Sequence, residues 1–558
     1  MSIISKVVYC TMISAGGVLE KKFNKYTLNS RSVNEEVLFK ILNKNNECNY
    51  GEKYNFNSIR SVNEYKEIVP ITDYSDYEQY INEMLKGKKN ILITDDVEYF
   101  GHTSGTTGKQ KLIPVTKKSR EVGSKYMALL IERFAYNNLK NQWNYGRGLM
   151  LADTVMTTYS EGGVPICSAT SGGMDAIKFI LPKIYTSPYE VMKIKDKNTA
   201  LYLHLLFALN DKNLTYISGV FISNVLDALR VLEEKSELLV MDIKKGRINR
   251  NLNIGDENRK KLNKYLKPNA GRADEIELEF SKGFRGICRR LWPKITYIAA
   301  VTGANFSIYD EMVNYYTESL PIYSPAYAAT EAMIGINPYI SNIRYVIIPD
   351  TVFYEFIPID ESDKEKPVTC CIDELKIGEK YEIIVTNYAG FYRYRLGDVI
   401  KVVGYYNNSP EVEFLYRKNQ VLNMVSEKTT EDHLKVSINK TIKELGVSLI
   451  DYTTIADNTI TPGRYIFYFE LDKEISQSKI KNFEKILDLE LQKANLAYGR
   501  FRKNNKLSGV SVNVVRKNTF DNIKKFLISN GVSKSQIKIP RVATNKTDIL
   551  RILNDNRI

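Results

Sequence analysis

Apolar residues return at helical spacing early in the chain. Val37, Leu38, Ile41 and Leu42 share one face of a helix predicted over Glu36–Asn43, and Tyr80–Leu85 repeats the style. The short apolar run Ile91–Thr94 predicts a buried strand, a glycine-rich loop follows it closely, and Lys117–Phe134 returns to helical spacing. Leu149–Ala152 and Ile295–Val301 are further apolar runs of strand length, with a long helix predicted between them over Thr199–Leu209. Strands and helices in alternation predict an α/β core.

From about Arg344 the period shortens. Tyr345–Ile348, Val352–Ile357, Tyr381–Thr386, Phe391–Arg395 and Val399–Tyr405 are short alternating runs between turns, and Ala389-Gly390 suits a hairpin loop. Such runs predict a small antiparallel sheet or barrel appended to the α/β core. Beyond Arg417 come a strand (Arg464–Leu471), a long amphipathic helix (Ile480–Tyr498), a strand (Ser511–Val515) and a helix opened by Asn518 or Thr519 as cap. The expected fold class is therefore α/β. A large N-terminal domain over 1–417 holds the α/β core and the antiparallel sheet, and a small α+β C-terminal domain covers 418–558.

Length and composition change this picture little. With 558 residues and 43% hydrophobic content, the chain can bury more than one core, which excludes a disordered polymer. No stretch reaches the roughly 18 apolar residues of a membrane span. Val7–Leu19 follows Lys6 and is mildly apolar, but Tyr9, Cys10 and Thr11 interrupt it before it can form a signal-peptide core. The expectation is a cytoplasmic monomer with no membrane partner.

The net charge of +14 comes mostly from lysines spread along the chain, and no nucleic-acid motif accompanies it. Small polyanions such as ATP, not nucleic acid, are the expected partners. The basic stretch Lys244–Lys267 reads as a solvated helical insertion. Six scattered cysteines and three histidines (His102, His204, His433) show no zinc spacing, which leaves oxygen-ligated magnesium as the metal to consider.

Three segments carry candidate chemistry. In Thr103-Ser104-Gly105-Thr106-Thr107-Gly108-Lys109-Gln110-Lys111, glycines let backbone N–H groups converge on an anion while hydroxyls and lysine ammonium groups add donors. The Walker spacing is absent, and Gly146-Arg147-Gly148 lacks the third glycine of a dinucleotide loop. In Tyr327-Ala328-Ala329-Thr330-Glu331, read as a helix start, the Glu331 carboxylate beside the Thr330 hydroxyl suits magnesium and the phosphates it bridges. In Tyr392-Arg393-Tyr394-Arg395-Leu396-Gly397-Asp398, a strand puts both arginines on one face and both tyrosines on the other. Asp398, just past it, can accept both hydroxyls of a ribose. Each segment alone also fits a bland reading: a polar turn, a solvated glutamate, surface arginines.

In this order the three segments resemble the adenylate-forming superfamily. More narrowly, they resemble the auxin-responsive Gretchen Hagen family of acyl acid amido synthetases, in a bacterial-type form. Val69-Pro70-Ile71 with Tyr74, Trp292-Pro293, Phe353-Tyr354-Glu355-Phe356-Ile357-Pro358 and Gln536-Ile537-Lys538-Ile539-Pro540-Arg541 extend the resemblance over most of the chain. It implies an ATP- and Mg2+-dependent enzyme that converts a small-molecule carboxylic acid to its adenylate and passes the acyl group to an amine, an amino acid above all.

By the same resemblance, Ser104, Gly105, Thr106, Thr107, Gly108 and Lys109 or Lys111 hold the β- and γ-phosphates. Tyr327, Thr330 and Glu331 flank the adenosine, the α-phosphate and the metal, with Glu331 as its ligand. Asp398 binds the ribose, joined by Lys428. Arg417 contacts nucleotide and opens a hinge that runs to Leu422, and Lys538 reaches the phosphates when a mobile C-terminal domain closes. His102 and Ala329 depart from the small hydroxyl residues usual at those places, which blurs the acyl pocket but leaves the ATP residues intact. A coenzyme A or carrier-thiol ligase shares the first step, and a non-catalytic nucleotide-binding protein is the rival from another class.

Overall fold

The computed structural model describes residues 3–102, 111–303, 309–418, 421–425, 427–543 and 546–558. The chain divides into two compact units. The larger takes in 112–396 and 400–413 with the residues before 103, and the smaller takes in 397–399 and 414–558 with Lys111.

In the larger unit, the strands Gly148–Leu151, Tyr216–Phe221, Tyr297–Val301 and Ile322–Tyr323 form a parallel sheet in that order. One face is covered by the helices Lys197–Asn210 and Ile222–Glu234, which bury Leu203, Leu206 and Leu229 with Ile217 and Ile298 of the sheet. Lys197–Asn210 is apolar all round its circumference, as a helix with no solvent face must be. The other face carries Tyr216 and Tyr297 and meets the helical run that begins at Lys117 and the long helix Ile3–Leu28. Gly16 lets these two helical segments pack closely on each other, because a Cβ there would lie 2.6 Å from the carbonyl oxygen of Leu129. The mildly apolar stretch Val7–Leu19 lies in this packed helix, with Tyr9, Ile13 and Leu19 in the core.

A seven-stranded sheet runs in the order Phe353–Pro358, Lys380–Thr386, Tyr394–Tyr406, Ser409–Arg417, Tyr345–Ile347, Met333–Ile336, Ala326–Ala328. Ala389-Gly390 closes the predicted hairpin: the Asn387 side-chain oxygen takes the backbone N–H groups of Ala389 and Phe391 at 3.0 Å each, and Gly390 adopts φ 91°. A smaller sheet pairs Val97–His102 antiparallel with Leu112–Thr116, continued by Pro165–Cys167 and Met156–Tyr159.

Several local expectations need correction. Ile91–Thr94 is buried as expected but is not a strand. Its backbone is satisfied elsewhere: Ile91 O accepts from Tyr50 N, Leu92 O from the Tyr392 hydroxyl, and Thr94 N donates to Asn45. The helix expected over Lys117–Phe134 is α-helical over Lys117–Lys125, π-helical over Tyr126–Leu130 and α-helical again over Ile131–Leu139. Phe391–Arg395 and Val399–Tyr405 are not separate strands; one strand, Tyr394–Tyr406, begins after Arg393, whose φ of 48° is left-handed. Within Lys244–Lys267 the lysine heads are solvated, but Ile248, Ile254, Leu262 and Leu266 belong to the main core.

The smaller unit has a sheet of Leu449–Asp457, Arg464–Leu471 and Ser511–Val515, covered by the helices Glu431–Leu445 and Gln477–Ala494. The predicted helix Ile480–Tyr498 is two helices. Asn495 breaks it, capping Leu496–Lys503 through the N–H groups of Ala497 and Tyr498 while its amide donates to Glu427 O and Thr429 Oγ1. Neither Asn518 nor Thr519 caps the helix Thr519–Ser529 with its side chain. Glu470, from the neighbouring strand, takes the backbone N–H groups of Asn518 (2.8 Å) and Phe520 (2.9 Å).

Candidate nucleotide and acyl site

Ser104, Gly105, Thr106, Thr107, Gly108 and Lys109 lie outside the described residues, but the frame that presents them is described. His102 and Leu112 face each other at the open end of the antiparallel pair. Half-buried Lys111 directly precedes the return strand. That strand runs into the next helix through Thr116, whose Oγ1 accepts from Ser119 N at 3.0 Å. Gly101 is a glycine because of its neighbour: a Cβ would stand 2.8 Å from Thr330 Cγ2. The Thr330–Glu331 segment therefore lies directly against the strand that enters the loop.

That segment is a strand turn, not the helix start expected from sequence. Ala326–Ala328 and Met333–Ile336 pair antiparallel, and Ala329 N donates to Ala332 O at 2.9 Å across the reversal, which leaves Thr330 and Glu331 at its tip. Asn387, fully buried at the end of Lys380–Thr386, donates to Glu331 O at 2.8 Å and so fixes the turn to the Ala389-Gly390 hairpin. Tyr74 closes the other side. Its hydroxyl accepts from Leu112 N (2.7 Å), and burial, with smaller pushes from Glu78 and Glu331, raises its pKa to about 12. Neither Asn387 nor the contact of Tyr74 is visible in the sequence, since each acts through backbone groups distant in the chain.

Tyr327 is buried, its ring 5.7 Å from that of Tyr345. The Tyr345 hydroxyl meets Ser324 Oγ (2.8 Å), which accepts from Thr302 N at the end of Tyr297–Val301; Thr302 Oγ1 donates to Asp310 (2.8 Å). His102 is buried, and its pKa is lowered by desolvation against the opposing pull of Asp153. The arginines of the third segment are neither surface residues nor free for a ligand. Arg393 is buried in a bidentate pair with Glu355 (2.8 and 2.9 Å), and Arg395 pairs with buried Glu382 (2.9 Å to Oε1).

In the smaller unit, Asp398 is buried and accepts from Arg417 Nε at 2.6 Å. Lys538 joins this pair electrostatically: burial lowers its pKa first, the Arg417 guanidinium adds to that, and Glu431 and Asp398 oppose it. Glu431 is raised to about 7 by burial, with Lys538, Arg541 and Arg417 pulling it down. The segment carrying Lys538 is held by main chain, since Arg541 O accepts from Thr454 N (3.0 Å) and Ala543 N donates to Thr454 O (2.9 Å) along the edge strand. Asp398, Arg417 and Lys538 are thus brought together. Lys428 is exposed on a separate turn with φ 44°, secured by Glu427, which takes the N–H groups of Met424 and Val425. Among the described residues, no three His, Cys, Asp or Glu side chains gather as a metal site.

The models of the GH3 family N-terminal, central and C-terminal domains match residues 19–322, 345–417 and 432–547. The chain belongs to the GH3 family. This GH3 protein is 31% identical over 550 residues to the 4-substituted benzoates–glutamate ligase GH3.12 of Arabidopsis thaliana, covering 94% of each chain. It is 29% identical over 555 residues to the jasmonoyl–L-amino acid synthetase JAR4 of Nicotiana attenuata, covering 96% of this chain and 95% of that one. The solved GH3.15 acyl acid amido synthetase superposes with a TM-score of 0.86 at 26% identity, covering 98% and 96% of the two chains. A 2-hydroxyisobutyryl-CoA ligase shares the fold alone, with a TM-score of 0.53 at 9% identity. The family, the mixed α/β fold and the class of AMP-forming acid–amino acid ligase agree with the sequence expectation. The bacterial-type label finds no support, because the relatives named here are plant proteins.

Proposed function

We propose that this GH3 protein uses ATP and Mg2+ to adenylate a small carboxylic acid and then transfers the acyl group to an amino acid, as a cytoplasmic monomer. The observation that carries the reading is the approach of Thr330 to Gly101, which sets Glu331 beside the strand entering the Ser104–Lys111 loop. The six cysteines, free of disulfides, suit a reducing compartment, and no described helix is long and apolar enough to cross a membrane.

The substrate carboxylate is itself the nucleophile, so the scarcity of histidine is no obstacle. It attacks the α-phosphorus of ATP, the bond to the bridging oxygen breaks, and pyrophosphate leaves. Ser104, Thr106, Thr107, Lys109 and Lys111, with the N–H groups around Gly105 and Gly108, grip the departing phosphates. Glu331 would hold magnesium, which would supply charge neutralisation at the departing phosphates. Tyr327 and Thr330 flank the nucleotide, and Asp398 accepts the ribose hydroxyls with Arg417 and Lys428 nearby in its binding. Residues 418–558 move as a domain that delivers Lys538 to the phosphates. An amino acid then attacks the acyl carbon, an amide bond forms and AMP departs.

Carboxylate-dependent ATP–pyrophosphate exchange tests the site. Asp398→Ala and Glu331→Ala should each nearly abolish it, and wild-type exchange in both would sink the assignment. Lys538→Ala should slow adenylation about a hundredfold while ATP still binds. Mass detection of products with amino acids and with coenzyme A decides the acceptor.

A further inference from the structure

On the parallel sheet, Gly148, Tyr216 and Tyr297 stand in one row, and Met150, Ser218 and Ala299 form the next row on the same face. The first row is a closed floor. The Tyr216 and Tyr297 rings stack at 5.2 Å, a Cβ on Gly148 would lie 2.3 Å from the Tyr216 ring, and the Tyr9 hydroxyl meets Tyr216 Oη at 3.0 Å. The second row is different. Ser218 and Ala299 are short, and Met150 and Ser218 keep partial exposure although Tyr216–Phe221 is flanked by strands on both sides. Met150 and Ser218 are thus reached by solvent over the middle of the sheet, between the tyrosine floor and the carboxyl ends of the strands, where ligands of open α/β sheets bind.

Glu132 borders that floor from the helix Ile131–Leu139, just after the π-helical turn. Its Oε2 is shut off from solvent and accepts no hydrogen bond among the described residues. Burial raises its carboxyl to about 7, partly offset by hydrogen bonding with the Tyr216 hydroxyl. Trp143, stacked on Tyr297 at 6.3 Å, also leaves its Nε1–H without a partner. A polar atom buried without a partner is destabilising, and leucine would fill the place of Glu132 without that cost. Two such atoms border one tyrosine, Tyr297, which suits a site completed by something from outside.

We infer that the Glu132 nest is the inner end of the acyl pocket and selects acids bearing a hydroxyl remote from the carboxylate, with that hydroxyl donating to the Glu132 carboxylate. This rests on the acid-adenylating reading above. A neutral hydroxyl fits better than an ammonium group, because the surroundings are tyrosine rings and a glutamate that is in part uncharged at neutral pH. An apolar acid leaves Oε2 as it is and gains nothing from it, whereas sites built to pair with a hydroxyl discriminate strongly against analogues lacking one.

The test is pyrophosphate exchange by the full-length protein with matched acids: benzoate and para-hydroxybenzoate, phenylpropanoate and its para-hydroxy analogue, octanoate and its terminally hydroxylated form. In the best-used pair, the hydroxylated member should have at least about tenfold higher kcat/KM. Glu132→Leu should bring that ratio to about one, mainly by raising KM for the hydroxy acid. Glu132→Gln, which keeps an oxygen acceptor, should retain part of the preference even if the leucine variant folds poorly. A wild-type ratio near one in every pair, or a ratio unchanged in Glu132→Leu, overturns the assignment. Robust exchange with apolar acids alone leaves the ligase reading standing and removes this one, whereas exchange with no acid removes both.

Discussion

Replacing Arg393 by methionine separates a structural role from a ligand role for the third motif. The guanidinium makes two charge-assisted bonds to Glu355 and two to the carbonyls of Lys66 (2.6 Å) and Val69 (2.8 Å), all in the interior. Its removal strands the Glu355 carboxylate with one remaining side-chain donor, Thr369 Oγ1 at 2.7 Å. Breaking one side of a buried ion pair costs about 3–5 kcal/mol, most of it the penalty on the charge left behind. Both tryptophans, Trp143 and Trp292, lie in the larger unit, so tryptophan fluorescence during urea unfolding reports on that unit alone. With an m value of about 3 kcal/mol/M or somewhat more, the midpoint should fall by about 1 M. The double variant Arg393→Met/Glu355→Leu should regain most of the loss, because no buried charge is then left unpaired. A single variant that unfolds like wild type yet loses ATP binding would refute the reasoning and return Arg393 to the ligands.

Gly101→Ala should slow adenylation at least tenfold by pushing Thr330 aside, and Gly101→Ala/Thr330→Ser should recover much of it by removing the Cγ2 in conflict; no recovery would mean that the strain lies elsewhere. Asn387→Asp keeps the acceptor for the hairpin but loses the donor to Glu331 O, so exchange kinetics should show a fall in kcat of tenfold or more, and an unchanged kcat would detach Asn387 from the site. Glu431 has a folded pKa near 7, above the ordinary carboxyl value of 4.5, so the folded state binds the extra proton between those values and stability falls as pH rises across that window. Glu431→Gln should therefore stabilise the protein above pH 7, by at most about 3 kcal/mol, and not near pH 4. Calorimetry that finds the gain at low pH, or at every pH alike, would contradict this.

The sequence was most informative where one pattern admits one environment. The largely apolar Thr199–Leu209 could only be a buried helix, and Tyr381–Thr386 is the strand its composition predicts, although both of its faces are buried. It was least informative where a long-range partner decides the outcome. Ile91–Thr94 has the composition of a strand but finds its hydrogen bonds in Tyr50, Asn45 and Tyr392, and Asn518 has the chemistry of a cap but is forestalled by Glu470. The site divides the same way. Glycines and acidic residues in fixed order marked the nucleotide segments, while Asn387 and Tyr74 act through groups 56 and 38 residues away and Glu132 through a missing partner, neither of which leaves a local signature.

The π-helical turn at Tyr126–Leu130 has a consequence for comparing this protein with its relatives. One residue inserted in a helix rotates everything after it by about 100° relative to everything before it. Lys117–Lys125 and Ile131–Leu139 thus point their side chains as two helices of different phase would, although they read as one. A relative without the turn would need one residue fewer to present the same surfaces, and a gap-free alignment across it would match Glu132 with a position facing another way. Differences in acid preference within the family should accordingly be mapped on this helix only after its turns, not its residues, have been counted.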